Sequence, residues 1–178
     1  MTHLPDLSQE LLDLVDEAGN VWGTATRERV HREGLLHRAV HALVWHPDGR
    51  ILLQKRAQGK ASFPGKWDTS VGGHVGAGEA PLAALVRECQ EEIGLFLCEA
   101  DLTPLGQHLF DRESLDPELV ESWGILHPGP FVPDPLEVES VAWFWREEVE
   151  TLIAQGGATP HFALQWEQSV KARTSSRP

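Results

Sequence analysis

The stretch Gly73 to Leu95, GHVGAGEAPLAALVRECQEEIGL, decides the fold, because it sets a glycine-rich turn, a helix start and a cluster of carboxylates within one segment. Wound as an α-helix, it places Leu82, Leu85, Val86, Cys89 and Ile93 on one apolar stripe and Arg87, Glu88, Glu91 and Glu92 on the opposite side. Pro81 suits a first helical turn, where its missing N–H costs nothing, and Gly94 suits a left-handed C-terminal cap. Glu88, Glu91 and Glu92 stand at i, i+3 and i+4, which brings their Cβ atoms to roughly 5 to 6 Å of each other. Like charges that close repel, and the face offers only Arg87, placed before Glu91 in the less favourable order. A divalent cation reverses the sign of that interaction. Hard oxygen donors suit Mg²⁺ or Mn²⁺, which also bridge phosphate oxygens. Ala84, one turn before Glu88, reads as space for a ligand. The competing reading is a solvated acidic helix with no site on it.

The spacing resembles the Nudix family signature, which runs glycine, five residues, Glu, seven residues, then Arg-Glu-apolar-x-Glu-Glu-x-Gly-apolar. Here those places hold Gly73, Glu79, Arg87, Glu88, Cys89, Glu91, Glu92, Gly94 and Leu95, with Cys89 as a small apolar residue at the apolar position. The resemblance implies an α+β Nudix fold, a mixed β-sheet sandwiched between helices, and attack by water on a diphosphate linkage in a nucleoside di- or triphosphate or a related nucleotide. It also implies Mg²⁺ or Mn²⁺ held by Glu88 and Glu92, with Glu91 as ligand or base and the Gly72 carbonyl as a backbone ligand. Arg87 is expected to hold a neighbouring glutamate in place, and Glu79 to act structurally or through a water. Family members draw the base from the helix or from a later loop, and Glu121, in Val120-Glu121-Ser122-Trp123, is the later candidate. Its alternative is a solvated strand glutamate.

Length and composition suit one such domain over residues 1–178, since 178 residues with 41% hydrophobic content can bury a single sizeable core. A net charge of −12 argues against nucleic acid or an anionic membrane as a partner and leaves phosphate capture to local cations. The partner is expected to be a small-molecule diphosphate; the sequence leaves the oligomeric state open. Cys89 and Cys98 make no disulfide framework and read as buried, reduced thiols. The N-terminus lacks an apolar run preceded by positive charge, so a cytoplasmic protein without a signal peptide is expected.

Around the signature, a hairpin is expected over about residues 11–25, turning at Glu17-Ala18-Gly19-Asn20, followed by one helical turn within Thr26 to Gly34. His37 to Trp45 and Arg50 to Arg56 read as strands around His46-Pro47-Asp48-Gly49. Leu102 to Phe110, Glu121 to Leu126 and Val141 to Arg146 read as strands, Glu147 to Ala154 and Phe162 to Ala172 as helices, and about 173–178 as a polar tail.

LLHRAVHALVW, QKRAQGKASFPGKWDTSVGGH and TPHF are similar to the branch that contains isopentenyl diphosphate isomerase and its hydrolase-like relatives. Those isomerases carry an essential cysteine where this chain has Gly72, depart from the Arg-Glu-x-x-Glu-Glu pattern kept here, and place a tryptophan where His161 stands. Isomerase activity is therefore disfavoured, and a non-catalytic nucleotide-binding module is disfavoured too, since such modules lose signature acids. The resemblance implies that Arg56 and Lys60 grip the diphosphate. The isomerases bind a separate metal with histidines near His31, His37 and His74, but by resemblance the carboxylate that completes that site falls on Leu119, so these residues and His41 are read as structural or supporting. Trp67 and Trp123 lie beside site segments and are read as core, with base stacking as the alternative.

Overall fold

A computed structural model describes residues 7–60, 62–110 and 116–174, with the side chains of Leu7 and of 169–174 outside the description. Among the described residues there are nine strands and four α-helices, beginning with β1 (Leu11–Val15), β2 (Val21–Thr26) and α1 (Arg27–Glu33). The hairpin turns at the expected tetrapeptide, where Gly19 takes φ +82° and Asp16 Oδ1 accepts from the Asn20 N–H at 2.8 Å. The polar segment after it forms about two helical turns rather than one. Thr26 Oγ1 caps its start by accepting from the Arg29 N–H at 3.4 Å, and Gly34 ends it in the left-handed region.

The centre of the sheet is β3 (His37–Trp45), whose apolar residues on both faces mark it as buried on both sides. It runs parallel to β8 (Glu118–Leu126) over its whole length, in the register His37 to Glu118 through Trp45 to Leu126. β7 (Leu102–Phe110) closes that side. On the other edge, β4 (Ile51–Arg56) pairs with β3 at Trp45 and Ile51 and then leaves it to run beside β9 (Val138–Phe144) and β5 (Trp67–Asp68). The edge that β4 vacates is taken by β6 (Val71–His74), antiparallel to β3. Two side chains between β5 and β6 bridge the split. Ser70 Oγ accepts from the Val44 N–H at 2.8 Å and donates to the Leu52 carbonyl at 2.5 Å, while Thr69 Oγ1 donates to the Ala42 carbonyl at 2.9 Å. This divergence opens a cleft in the sheet.

Helices cover both faces. On one, α2 (Pro81–Ile93) buries Leu85, Cys89 and Ile93 against Val40, Ala42, Leu52, Val71 and Trp123. Full burial of a Leu85-sized side chain contributes about 1.5–3 kcal/mol. On the other, α3 (Arg146–Ala154) and α4 (Pro160–Thr174) place Val149, Phe162 and Trp166 against Leu43, Ile51 and Leu53. This is the α+β arrangement, a mixed sheet between helices, expected from the signature.

Several boundaries differ from the expectation. β8 starts three residues early, at Glu118, because parallel pairing with His37 holds an acidic residue that strand propensity disfavours. β9 spans Val138–Phe144 rather than 141–146, since Trp145 begins a helix, its N–H donating to Glu148 Oε2 at 2.7 Å. Cys89 is buried, but Cys98 is exposed in the connection after α2. Ala84 is fully buried in the core and offers no space for a ligand. Part of the predicted polar tail, 175–178, lies outside the described residues. No helix of the described residues is long and apolar enough to cross a membrane.

Candidate active site

α2 is built as its sequence predicts, with Pro81 in its first turn and Gly94 in the left-handed region donating its N–H to the carbonyls of Cys89 and Gln90. Its acidic side is not a uniformly solvated face. Glu92 is only 4% exposed, and its Oε2 accepts from the Gly72 N–H and from Gln54 Nε2, both at 3.0 Å. Burial, with the Glu88 charge adding to it, pushes the Glu92 carboxyl up to about 8. Burial also raises the Glu88 carboxyl above its ordinary range against the pull of Arg87. The Glu91 side chain stays 58% exposed.

Gly73 is required by Glu88. A Cβ at Gly73 would lie 2.1 Å from Glu88 Cδ, so only a bare backbone lets that carboxylate rest against β6. The Arg87 guanidinium ties the region together. Nε and Nη2 grip Glu79 at 3.0 Å each, Nη1 reaches Glu88 at 2.6 Å and Glu91 at 3.0 Å, and Nη2 also donates to the His74 carbonyl at 3.1 Å. Glu79 Oε2 accepts from the Gly76 N–H at 2.9 Å, which ties the glycine-rich loop to the same guanidinium.

These acids face a cavity of about 1030 Å³ in the split of the sheet, lined on another side by Arg56 and Lys60. Arg56 is held by Asp68 (Nη1 to Oδ2, 3.0 Å) and by the Ser62 carbonyl (Nε, 3.0 Å), and Lys60 forms an ion pair with Glu137. Burial lowers the Lys60 ammonium, while the Glu92 carboxylate pulls it the other way.

The histidines form a second cluster on this cavity. Donor atoms of His31, His37, His74 and Asp116 all lie within 4.8 Å of one another, and the Nε2 atoms of His31 and His37 are buried without a hydrogen-bond partner. Glu118 Oε1 approaches His37 Nε2 at 3.8 Å and His74 Nε2 at 3.7 Å, and its Oε2 lies 3.6 Å from His161 Nδ1. Burial lowers the pKa of the three clustered imidazoles and raises that of Glu118 well above the carboxylate range. Neutral imidazole nitrogens lacking partners beside two carboxyls are a donor set that fits a divalent metal. The expectation that Leu119 leaves this cluster without its carboxylate is corrected. Leu119 is buried on the opposite side of β8, and its neighbour Glu118 faces the histidines. Glu118 reaches the histidines because the parallel register of β8 and β3 sets it opposite His37, a long-range pairing that the local sequence does not show.

Side-chain alternation along β8 displaces Glu121. It stands three residues from Glu118 on β8, hence on the other face, and does not line the cavity, so the downstream carboxyl at the site is Glu118. Trp123 packs in the core beneath α2, and Trp67 packs edge-on against Phe144 at 4.8 Å; neither lines the cavity. His161 does line it, its ring tilted against Phe110 with centroids 4.4 Å apart. His41 was read as structural, and its Nδ1 lies 3.1 Å from Gln165 Oε1, with Gln165 Nε2 donating to Ser122 Oγ at 2.8 Å.

Residues 35–164 match the NUDIX domain family. An uncharacterized Nudix hydrolase of Yersinia pestis is 35% identical over 144 residues, 79% of this chain and 75% of that protein. An isopentenyl-diphosphate Delta-isomerase of Serratia proteamaculans is 35% identical over 160 residues, 88% of this chain and 87% of its own length. The crystal structure of a Deinococcus radiodurans protein superimposes with a TM-score of 0.76 at 26% identity, covering 90% of this chain and 99% of that one. Relatives bearing hydrolase and isomerase names together fit the branch that the sequence resembles. With the signature helix, its glycine loop and the cleft it faces in place, the chain belongs to the Nudix family and is a hydrolase acting on pyrophosphate bonds.

Proposed function

We propose that this hydrolase cleaves the diphosphate linkage of a nucleoside di- or triphosphate, or of a related nucleotide, by attack of water in the presence of Mg²⁺ or Mn²⁺. The observation that carries this reading is the Arg87 guanidinium, which gathers Glu79, Glu88 and Glu91 beside a cavity that Arg56 and Lys60 also line. Glu88 and Glu92 would hold the ion, with the Gly72 carbonyl as backbone donor. Their fit rests on a buried carboxyl, Glu92, and a half-buried one, Glu88, whose pKa burial raises, the latter laid where a Cβ at Gly73 would come 2.1 Å from its Cδ. When bound, the ion neutralises charge on the diphosphate oxygens and acidifies water. Arg87 fixes the direction of Glu88 and Glu91, and Arg56, itself oriented by Asp68, presents a planar fork to phosphate oxygens. Lys60 adds a point charge. In this reading Glu91, the most open of the three acids, takes a proton from water in the cavity.

A second reading, allylic isomerisation of isopentenyl diphosphate, is favoured by the histidine and carboxyl cluster at His31, His37, His74, Asp116 and Glu118. Gly72 argues against it, because its hydrogen cannot deliver a proton to an alkene carbon as a thiol does. An assay with Mg²⁺ or Mn²⁺ over nucleoside di- and triphosphates, nucleotide sugars, dinucleotides and isopentenyl diphosphate separates the readings. Release of phosphate or of a nucleoside monophosphate is expected. Formation of dimethylallyl diphosphate with no hydrolysis would reverse the order.

A further inference from the structure

The cavity is larger than a diphosphate needs, and most residues that line it are polar or charged by type; the large apolar exceptions are Phe63 and Leu136. Neither belongs to any of the apolar clusters of the described residues, and Leu136 is 54% exposed. Phe63 is half-buried, and among the described residues it is the only non-glycine residue with positive φ, at +50°. For a bulky side chain that backbone is strained, and strain persists where the surroundings enforce it. Three contacts do so. Arg56 Nε donates to the Ser62 carbonyl at 3.0 Å, the Gly65 N–H donates to the Arg56 carbonyl at 3.1 Å, and the Lys66 N–H donates to the Phe63 carbonyl at 3.3 Å. The segment that carries the ring is thereby fixed to the arginine assigned to phosphate. Leu136 stands beside Glu137, the partner of Lys60, and Asp134 Oδ1 holds its N–H at 3.0 Å.

We infer that Phe63 and Leu136 form the nucleoside end of the substrate site, with the base stacked on the Phe63 ring against Leu136 while the diphosphate lies on Arg56 and Lys60. This rests on the reading of the cavity as a diphosphate site. An open aromatic face accepts any base through its π-surface, and the polar groups that surround it suit a heteroaromatic ring better than a prenyl chain. The inference also explains why a ring that adds nothing to the core is kept on a strained backbone.

The test compares wild type with Phe63→Gly and Leu136→Asp on nucleoside diphosphates, inorganic pyrophosphate and isopentenyl diphosphate, with thermal unfolding of each protein and binding of a non-hydrolysable α,β-methylene nucleoside diphosphate. In both variants the ratio of KM for nucleoside diphosphate to KM for pyrophosphate should rise roughly tenfold, the scale of one lost stacking contact. Phe63→Gly should also unfold at the same or a higher temperature, since glycine relieves the strain; a ring with a packing role would lower it. Equal KM changes for nucleotide and pyrophosphate, or a loss confined to isopentenyl diphosphate, overturns the inference. Should wild type bind the analogue through Phe63 yet turn over no nucleotide, the base site stands and the hydrolytic reading fails. Binding that ignores Phe63 removes the base site whatever the turnover.

Discussion

Arg87 holds Glu79 with two parallel hydrogen bonds, Nε to Oε1 and Nη2 to Oε2, each 3.0 Å long. The pair spans from the glycine-rich loop to the middle of α2, so it fixes the loop and the helix as one unit. Arg87→Lys keeps the charge but loses the fork. We expect a stability loss of about 1–3 kcal/mol, the worth of a charged hydrogen bond, and at least a tenfold drop in kcat as Glu88 and Glu91 lose their orientation. Thermal unfolding and steady-state kinetics on the same preparation check this. A kcat near that of wild type would reduce the guanidinium to a structural tie.

Glu92→Gln is expected to nearly abolish turnover at saturating Mg²⁺ without unfolding the protein. With its pKa near 8, the Glu92 carboxyl is mostly protonated at neutral pH in the metal-free protein, and an amide has the same shape and keeps an oxygen for the Gly72 N–H and Gln54. Circular dichroism and activity measured together decide the matter. Retained activity sinks the ligand assignment, and loss of folding returns Glu92 to a structural role.

How far the sequence carried the reading follows from the range of the signal. The signature helix was legible because its core stripe, its acids and both boundary residues are local, and α2 runs Pro81–Ile93 as they require. The Glu118 position was missed because it depends on a parallel register between β3 and β8 that no local pattern contains. Glu121 is the downstream carboxylate that the resemblance suggests, but alternation along the strand sets it on the other face from Glu118. Ala84 reads from sequence as open space because a small residue looks alike whether it leaves a gap or lets a helix sit close to a sheet. The burial of Glu92 was likewise hidden, since its donors come from β4 and β6.

The contribution of Glu92 to the stability of the metal-free protein should fall as pH rises from about 4.5 to about 8. Below the ordinary pKa of 4.5, Glu92 is protonated in both states; between the two values the unfolded chain ionises while the fold retains the proton, so folding loses ground with each step upward. Above about 8 the loss levels off. A cation bound at Glu92 replaces the proton, so stabilisation by Mg²⁺ should be larger at about pH 9 than at about pH 6. Unfolding temperatures with and without Mg²⁺, in wild type and in Glu92→Gln, measure it. A variant that shows the same pH slope as wild type would assign the titration elsewhere.

Lys60→Ala should mainly raise KM, and Arg56→Ala should lower kcat as well as raise KM, because a guanidinium can grip a phosphate at two points where an ammonium acts as a single charge. Both cations are ion-paired within the protein, so each variant also releases an acid, Asp68 or Glu137, at the cavity. The double variants Arg56→Ala/Asp68→Asn and Lys60→Ala/Glu137→Gln separate the two effects. Kinetics restored by removing the acid would show that the cations only neutralise their neighbours.

Gly72→Cys tests the branch between hydrolase and isomerase. The carboxyl thought missing from the histidine cluster is present as Glu118, so the absent thiol, the retained Glu88 and Glu91, and His161 in place of tryptophan are what now set this chain apart from the isomerases. A Cβ at position 72 would stand 3.1 Å from His41 Cδ2 and 3.2 Å from Thr69 Cγ2, closer than either neighbour accommodates without shifting. The backbone that donates to Glu92 would move with them, and hydrolysis should fall. Isomerisation should not appear, because the thiol would stand against His41 and Thr69 while Glu88, Glu91 and His161 keep the site unlike that of the isomerases. Incubation of Gly72→Cys with isopentenyl diphosphate in D₂O reads this directly. Deuterium in either allylic isomer would mean that the histidine and carboxyl cluster needed only its proton donor, and the assignment of this site to hydrolysis alone would be wrong.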